Sequence, residues 1–324
     1  MSGKRRFEEQ IASLELIGEL PPEECIEPLR KALGHRNNFI VGKAADLIRK
    51  LRVTELTPEL LSAFDRFFED ALKSDPQCWA KNGIARALAE FEHQDAAVFL
   101  RGMRHVQPEP SYGGASDSAG TLRAICALAL VQCRSLKDAE LLAHLVDLLA
   151  DKEKSVRAEA IRAIELVGSA SSALLLRERA VLGSDEPEVL GACYGGILRL
   201  EGVGAIAWVS RFFASGDDSA AEAALAVAGT HSSEGFEILR KHFDRVADPW
   251  FRSVLLSAIA LTRQDAALEF LLRLVRCESM QAEAAVEAIL RSAPATEVVK
   301  KLEELVAGNA RLARAFAAHR AESS

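Results

Sequence analysis

Aromatic residues are scarce in this chain of 324 residues: Phe, Trp and Tyr make up 6% of it, against 49% hydrophobic residues in all. Its core must therefore be assembled from Ala, Leu, Val and Ile. With only 20 glycines and 10 prolines, collagen-like and disordered compositions are excluded and the Ala and Leu content favours helix. Charge of one sign is nowhere concentrated. The formal net charge is -7 and the sequence pI about 5.6, with acids and bases interspersed. That excludes the basic stripe by which proteins hold phosphates, so no nucleic-acid partner is expected. No continuous apolar run reaches membrane-spanning length, and MSGKRRFEEQ passes directly into an acidic amphipathic segment without an apolar h-region. A soluble, cytoplasmic protein with no membrane partner is the expectation.

The usual signatures of chemistry are also missing. The cysteines, Cys25, Cys78, Cys126, Cys133, Cys193 and Cys277, form no Cys-x-x-Cys pair and have no zinc spacing with histidine; most read as reduced, buried thiols. None of the seven histidines lies in a His-Glu pair or an H-E-x-x-H. There is no phosphate-binding G-x-x-x-x-G-K-[ST] loop and no G-x-S-x-G elbow. Gly191, Gly195, Gly196, Gly202 and Gly204 follow no strand, so they are not a dinucleotide fingerprint. No catalytic residue, metal ligand or cofactor is assigned.

What the chain has is repetition. Val156-Arg157 is followed by small or apolar residues at Ala160, Ile161, Ala163, Ile164 and Val167. The same frame fits Leu122-Arg123, Val189 and Phe251-Arg252, with looser copies at Ile40, Ala80, Ala220, Gln281 and Leu312. Successive reference positions are about 40, 42, 34, 33, 31, 31, 30 and 31 residues apart by subtraction, the period range of helical solenoids. A second amphipathic segment separates each pair of copies, so each unit reads as a helical hairpin. Asp151, Asp185, Asp217 and Asp248 stand in the turns before the reference helices, where a carboxylate caps free N–H groups. Asp75-Pro76 and Asp248-Pro249 add a proline suited to a first helical turn. Arg123, Arg157 and Arg252 are placed to pair with turn acids of an adjacent unit.

The stretch from Asp151 to Gly168, D-x-x-x-x-V-R-x-x-A-x-x-A-I-x-x-V-G, resembles the short HEAT repeat of the phycobilisome-lyase type. The resemblance covers about Phe7 to His319 and is sharpest from Leu122 to Ile289. It implies an all-α fold, a right-handed α-solenoid of HEAT or armadillo kind with about nine or ten helical hairpins, the reference helices lining a concave face. As domains this is a single solenoid over 1–324: irregular repeats 1–104, a loop insertion 105–120, regular short repeats 121–319 and a disordered tail 320–324. HEAT-repeat deoxyhypusine hydroxylases hold two irons through repeated His-Glu pairs, and this chain has none.

Two departures from regularity supply the candidate site. RHVQPEPSYGGASDSAG, Arg104 to Gly120, lengthens one unit by about ten residues and reads as a loop. It is either a binding loop with Tyr112 as its contact residue or a tolerated mobile insertion. Positions +3 and +6 of each frame should look into the concavity; they are Lys43, Asp46, Arg86, Glu159 and Arg162 early on, then Ala192, Gly195, Ala223, Ala226, Val254, Ser257 and Ala284. Exposed apolar area marks contact sites, so these positions predict a shallow groove for a partner helix or extended segment, unless curvature buries them or the frame is off by one. Trp79 and Trp250, with Phe39 and Met280 equivalent, precede the reference position and either anchor a partner or staple the helix start. The expected function is a noncatalytic scaffold for a protein or peptide partner, with self-association through an end open. The alternatives are a bilin-lyase-like or chaperone-like accessory subunit, and a nucleic-acid-acting solenoid similar to the HEAT-like alkylpurine DNA glycosylases.

Overall fold

Among the described residues, Ala-rich and Leu-rich segments punctuated by short polar turns fold into twenty α-helices and one small sheet. The computed structural model describes the backbone of residues 2–18 and 21–322, and the side chains among them except those of 2–9, 22, 23, 321 and 322. The described residues form an all-α fold apart from a single two-stranded antiparallel hairpin. Contacts divide the chain into two compact units, Met1–Val167 and Gly168–Ser324.

In the first unit the helices are α1 (Ser2–Ile17), α2 (Pro22–Leu33), α3 (Asn38–Leu51), α4 (Thr57–Arg66), α5 (Ala71–Ser74), α6 (Trp79–Glu90), α7 (Ala96–Met103), α8 (Gly120–Leu130), α9 (Asp138–Leu145) and α10 (Lys154–Val167). Strands β1 (Pro108–Ser111) and β2 (Gly114–Asp117) lie between α7 and α8. Helices α3, α6, α8 and α10 stack in that order, with α2, α4, α7 and α9 packed alongside. Glycine brings α3 and α6 close: a Cβ at Gly83 would lie 2.8 Å from the carbonyl oxygen of Gly42, and one at Gly42 2.8 Å from that of Trp79.

In the second unit are α11 (Ala170–Leu182), α12 (Pro187–Glu201), α13 (Ile206–Val209), α14 (Asp218–Ala228), α15 (Ser233–Phe243), α16 (Pro249–Leu261), α17 (Asp265–Arg276), α18 (Ala282–Arg291), α19 (Thr296–Val306) and α20 (Ala310–Glu322). Helices α12, α14, α16, α18 and α20 stack successively, and α15, α17 and α19 fill the flank. Helix α20 runs through residues 320–322 of the expected tail; 323 and 324 lie outside the described residues. Pro187–Ser215 contains an 18-residue window of mean hydropathy 1.3, long and apolar enough to cross a membrane. Arg199 and Glu201 interrupt it, so it contains no continuous apolar run of that length. Half of that window is buried inside the fold.

The cores follow the apolar stripe. Val156, Ala160, Ile161, Ala163 and Ile164 are buried, as are Leu122, Cys126, Ala127, Ala129 and Leu130, and Phe251, Leu255, Leu256, Ala258 and Ile259. Burying such stripes on both flanks is what stabilises helices whose intrinsic propensity alone is marginal. Asp217 and Asp248 cap α14 and α16, accepting from the N–H groups of Ala220 at 3.0 Å and Phe251 at 2.7 Å. Asp151 instead accepts from Glu153 N–H at 2.9 Å and faces Arg123, while Asp185 pairs with Arg179. Five of the six cysteines are buried free thiols and Cys277 is exposed.

Candidate functional site

A basic residue directly after the reference position recurs in the first unit: Lys81, Arg123 and Arg157. An aspartate stands six residues before each, at Asp75, Asp117 and Asp151. The three cations are 0%, 4% and 9% exposed, so this D-x5-[KR] pattern is interior, and the aspartate of its second copy, Asp117, lies within the insertion 105–120.

The helix start at Asp75-Pro76 sets the geometry. Gln77 and Cys78 both take left-handed backbone angles, φ 59 and 54, which for side chains with a Cβ is strained. That kink turns Asp75 back over α6, where its carboxylate accepts from the N–H groups of Ala80 at 2.9 Å and Lys81 at 3.0 Å. Lys81 meets the same carboxylate at 3.1 Å, and both side chains are wholly buried. The ammonium also donates to the Phe67 carbonyl and to Gln107 Oε1, each at 3.1 Å, so all three of its donors are used. A buried ion pair without such extra partners would be destabilising.

Gln107 carries the network into the insertion. Its amide donates to the Asp75 carbonyl and to Glu109, both at 2.8 Å. Glu109 in turn accepts from the Gln77 N–H at 2.6 Å and from the Ser118 hydroxyl. Asp117 accepts from the Gln107 and Ala119 N–H groups and pairs with Arg123, which grips Asp151 through two nitrogens at 2.7 and 2.9 Å. Burial alone would raise the carboxyl pKa values of Glu109 and Asp117, but these donors outweigh it and hold both below the ordinary carboxylate range. Burial lowers the pKa of His105, and the nearby Lys81 charge adds to that; its ring packs edge-on against Phe68 at 4.9 Å. Burial likewise pushes the Cys78 thiol up to about 11.

From this base the expected loop rises as a β-hairpin instead, in register Pro108↔Asp117 to Ser111↔Gly114. The Ser118 N–H donates to the Gln107 carbonyl, so by alternation Pro108 and Pro110 occupy positions whose missing N–H would point outward. The prolines thus cost no cross-strand bond and leave the β1 edge without donors. Gly113, at φ +94, makes the turn, and Tyr112 stands fully exposed at the tip.

The predicted groove residues fare differently. Ala223 is fully buried: in α14 the interior stripe is Ala220, Ala223, Ala224, Val227 and Ala228, so the frame there is one residue late and Ala223 is core. Ala192, Gly195, Ala226, Val254, Ser257 and Ala284 are half-buried. Gly195 and Ala226 line one cavity together, a cleft of about 380 Å³ between α12 and α14. Trp250 is exposed and stacks on Phe251; Trp79, also exposed, packs edge-on against Phe39 at 5.4 Å. Of the three arginines matched to turn acids, Arg123 makes that pair, Arg157 donates to the Asp151 and Lys152 carbonyls, and Arg252 lies over the Phe243 ring. Sequence reasoning missed Lys81, Gln107, Glu109 and Asp117. The aspartate six residues before a base is the signal that could have found two of these pairs, Asp75–Lys81 and Asp117–Arg123. No protein-family model matches the chain, and no curated protein is significantly similar to it.

Proposed function

We propose that the protein is a noncatalytic scaffold of short HEAT-type repeats, an α-solenoid that presents its inserted hairpin and its inner helices to a protein or peptide partner in the cytoplasm. The observation that carries this reading is the buried Asp75–Lys81–Gln107 network beneath an exposed aromatic tip. A two-stranded hairpin is marginal in water by itself, and this one is tied at its base by interior charges. Such an arrangement suits presentation, because a preorganised contact loses less entropy on binding. Lys81 has its three donors occupied and Cys78 is held as a thiol, so the same network offers no nucleophile. The acidic balance of the chain argues against nucleic acid as the partner.

The reading is tested by affinity capture from the native lysate with wild type and Tyr112→Ala, after circular dichroism shows equal folding. Proteins held by wild type and lost from the variant support it; identical captures, or none, overturn it. The solenoid is tested separately by small-angle scattering, where a radius of gyration near the roughly 20 Å of a compact globule of this length would count against it.

A further inference from the structure

The hairpin has two unlike edges. On β1 the outward main-chain groups belong to Pro108 and Pro110, which carry no N–H, so that edge offers only acceptors. On β2 the same alternation turns the N–H and C=O groups of Ala115 and Asp117 outward. Among the described residues, these groups form no bond to another part of the chain. Gly114, Ala115 and Ser116 are exposed and uncharged, and a Cβ built on Gly113 or Gly114 would meet nothing within 4 Å. The Asp117 carboxylate is drawn back to Arg123 and to the Gln107 and Ala119 N–H groups. Exposed edges are ordinarily blunted by charge, proline or a bulge. β1 is blunted in this way and β2 is not.

What fits the β2 edge is an extended main chain with donors and acceptors at two-residue spacing, and β2 itself has that spacing. Turned antiparallel about a two-fold axis at Ser116, Ala115 of each copy faces Asp117 of the other, and each such pair exchanges two main-chain bonds. Other two-fold registers lose bonds. Centring on Ala115 would set Asp117 against Gly113, which lies in the turn at φ +94, and centring on Asp117 would set Ala115 against Ala119, at the start of α8. The antiparallel sense also puts the helices at the foot of each hairpin at opposite ends of the joined sheet. It brings Tyr112 at each tip level with the other copy's Gly120, where α8 begins.

We propose that the β2 edge pairs with the β2 edge of a second copy of this chain, antiparallel and centred on Ser116. The proline edges then form both margins of the joined sheet, so assembly closes at two copies and does not continue into a fibre. Pairing also supplies the added strands that a two-stranded sheet lacks. The inference rests on reading the hairpin as a presented contact and names what it meets.

Disulfide trapping on the full chain tests it. In a Cys277→Ser background, which removes the exposed thiol, Ser116→Cys sets two thiols at a non-hydrogen-bonded pair with Cα atoms about 4.5 Å apart, within the reach of a disulfide. Oxidised glutathione takes up the two electrons and two protons released. A covalent dimer is expected to form at least about tenfold faster than with Ser111→Cys, which is exposed on β1 away from the axis. Adding Ala115→Pro, which removes an outward N–H as Pro110 does on β1, should slow the Ser116→Cys reaction by about tenfold. The comparison of Ser116→Cys with Ser111→Cys needs no proline and holds even if Ala115→Pro disturbs the hairpin. Equal rates for the two cysteine variants, or a rate unchanged by Ala115→Pro, overturn the proposal. If that happens while capture still depends on Tyr112, the second copy is wrong and the scaffold reading stands.

Discussion

Lys81 carries more of the architecture than any surface residue, because its ammonium ties α6, the end of α4 and the inserted hairpin to one carboxylate. Replacing it by Met would leave Asp75 buried and uncompensated, and we expect a loss of about 3–5 kcal/mol in urea unfolding. The partner change restores part of this: Lys81→Met with Asp75→Asn should be less destabilised than Lys81→Met alone, and additive losses would show that the pair is not coupled. Ala223 and Ala226 separate core from cleft on one helix. Ala223→Glu buries an unpaired charge and should lower stability by several kcal/mol, whereas Ala226→Glu, beside the cleft, should shift the midpoint far less. Equal effects would mean that α14 is rotated from the orientation described.

Among the elements, the contact of α3 with α6 depends on two glycines whose backbones nearly touch. Gly83→Ala should cost about 1–3 kcal/mol, since overpacking forces the helices apart, although alanine favours helix by itself. A gain in stability would show that the interface has slack. Helix ends show how little of the turn geometry is written in residue type. Left-handed residues follow the stacked helices at Arg52, Glu92, Gly168, Gly202, His231, Arg263 and Ala293, and only two of these are glycine. Glycine, the residue that announces such a turn, is absent from most of them, so those boundaries were not legible.

At the scale of the whole molecule, acidification should weaken the fold in two stages. His105 and His242 both have their pKa lowered by burial, so the unfolded chain binds protons that the folded chain resists. Stability should therefore begin to fall as pH drops below about 6.5, the unperturbed histidine value. Glu109, Asp117 and Asp217 have depressed pKa values, so their contribution is present above about 4 and is lost as pH falls through the folded values. Urea midpoints measured from pH 8 to pH 3 check this. A curve flat to pH 4 would remove the histidine contribution.

The sequence by itself determined the all-α class and most of the core. The stripe of small and branched residues at Val156, Ala160, Ile161 and Ile164 has helical spacing, and burial follows from that spacing alone. It also located the insertion and Tyr112, since Pro, Gly and Ser crowd there. Only the tertiary structure decided that the insertion is a hairpin, because its anchors come from residues as far apart as Asp75, Lys81, Gln107 and Asp117. A lysine next to an alanine-rich stripe reads as solvated until the carboxylate and carbonyls around it are known. The rotation of α14 was decided the same way: small residues surround that helix on several sides, and only packing against α12 and α16 selects the side that is buried.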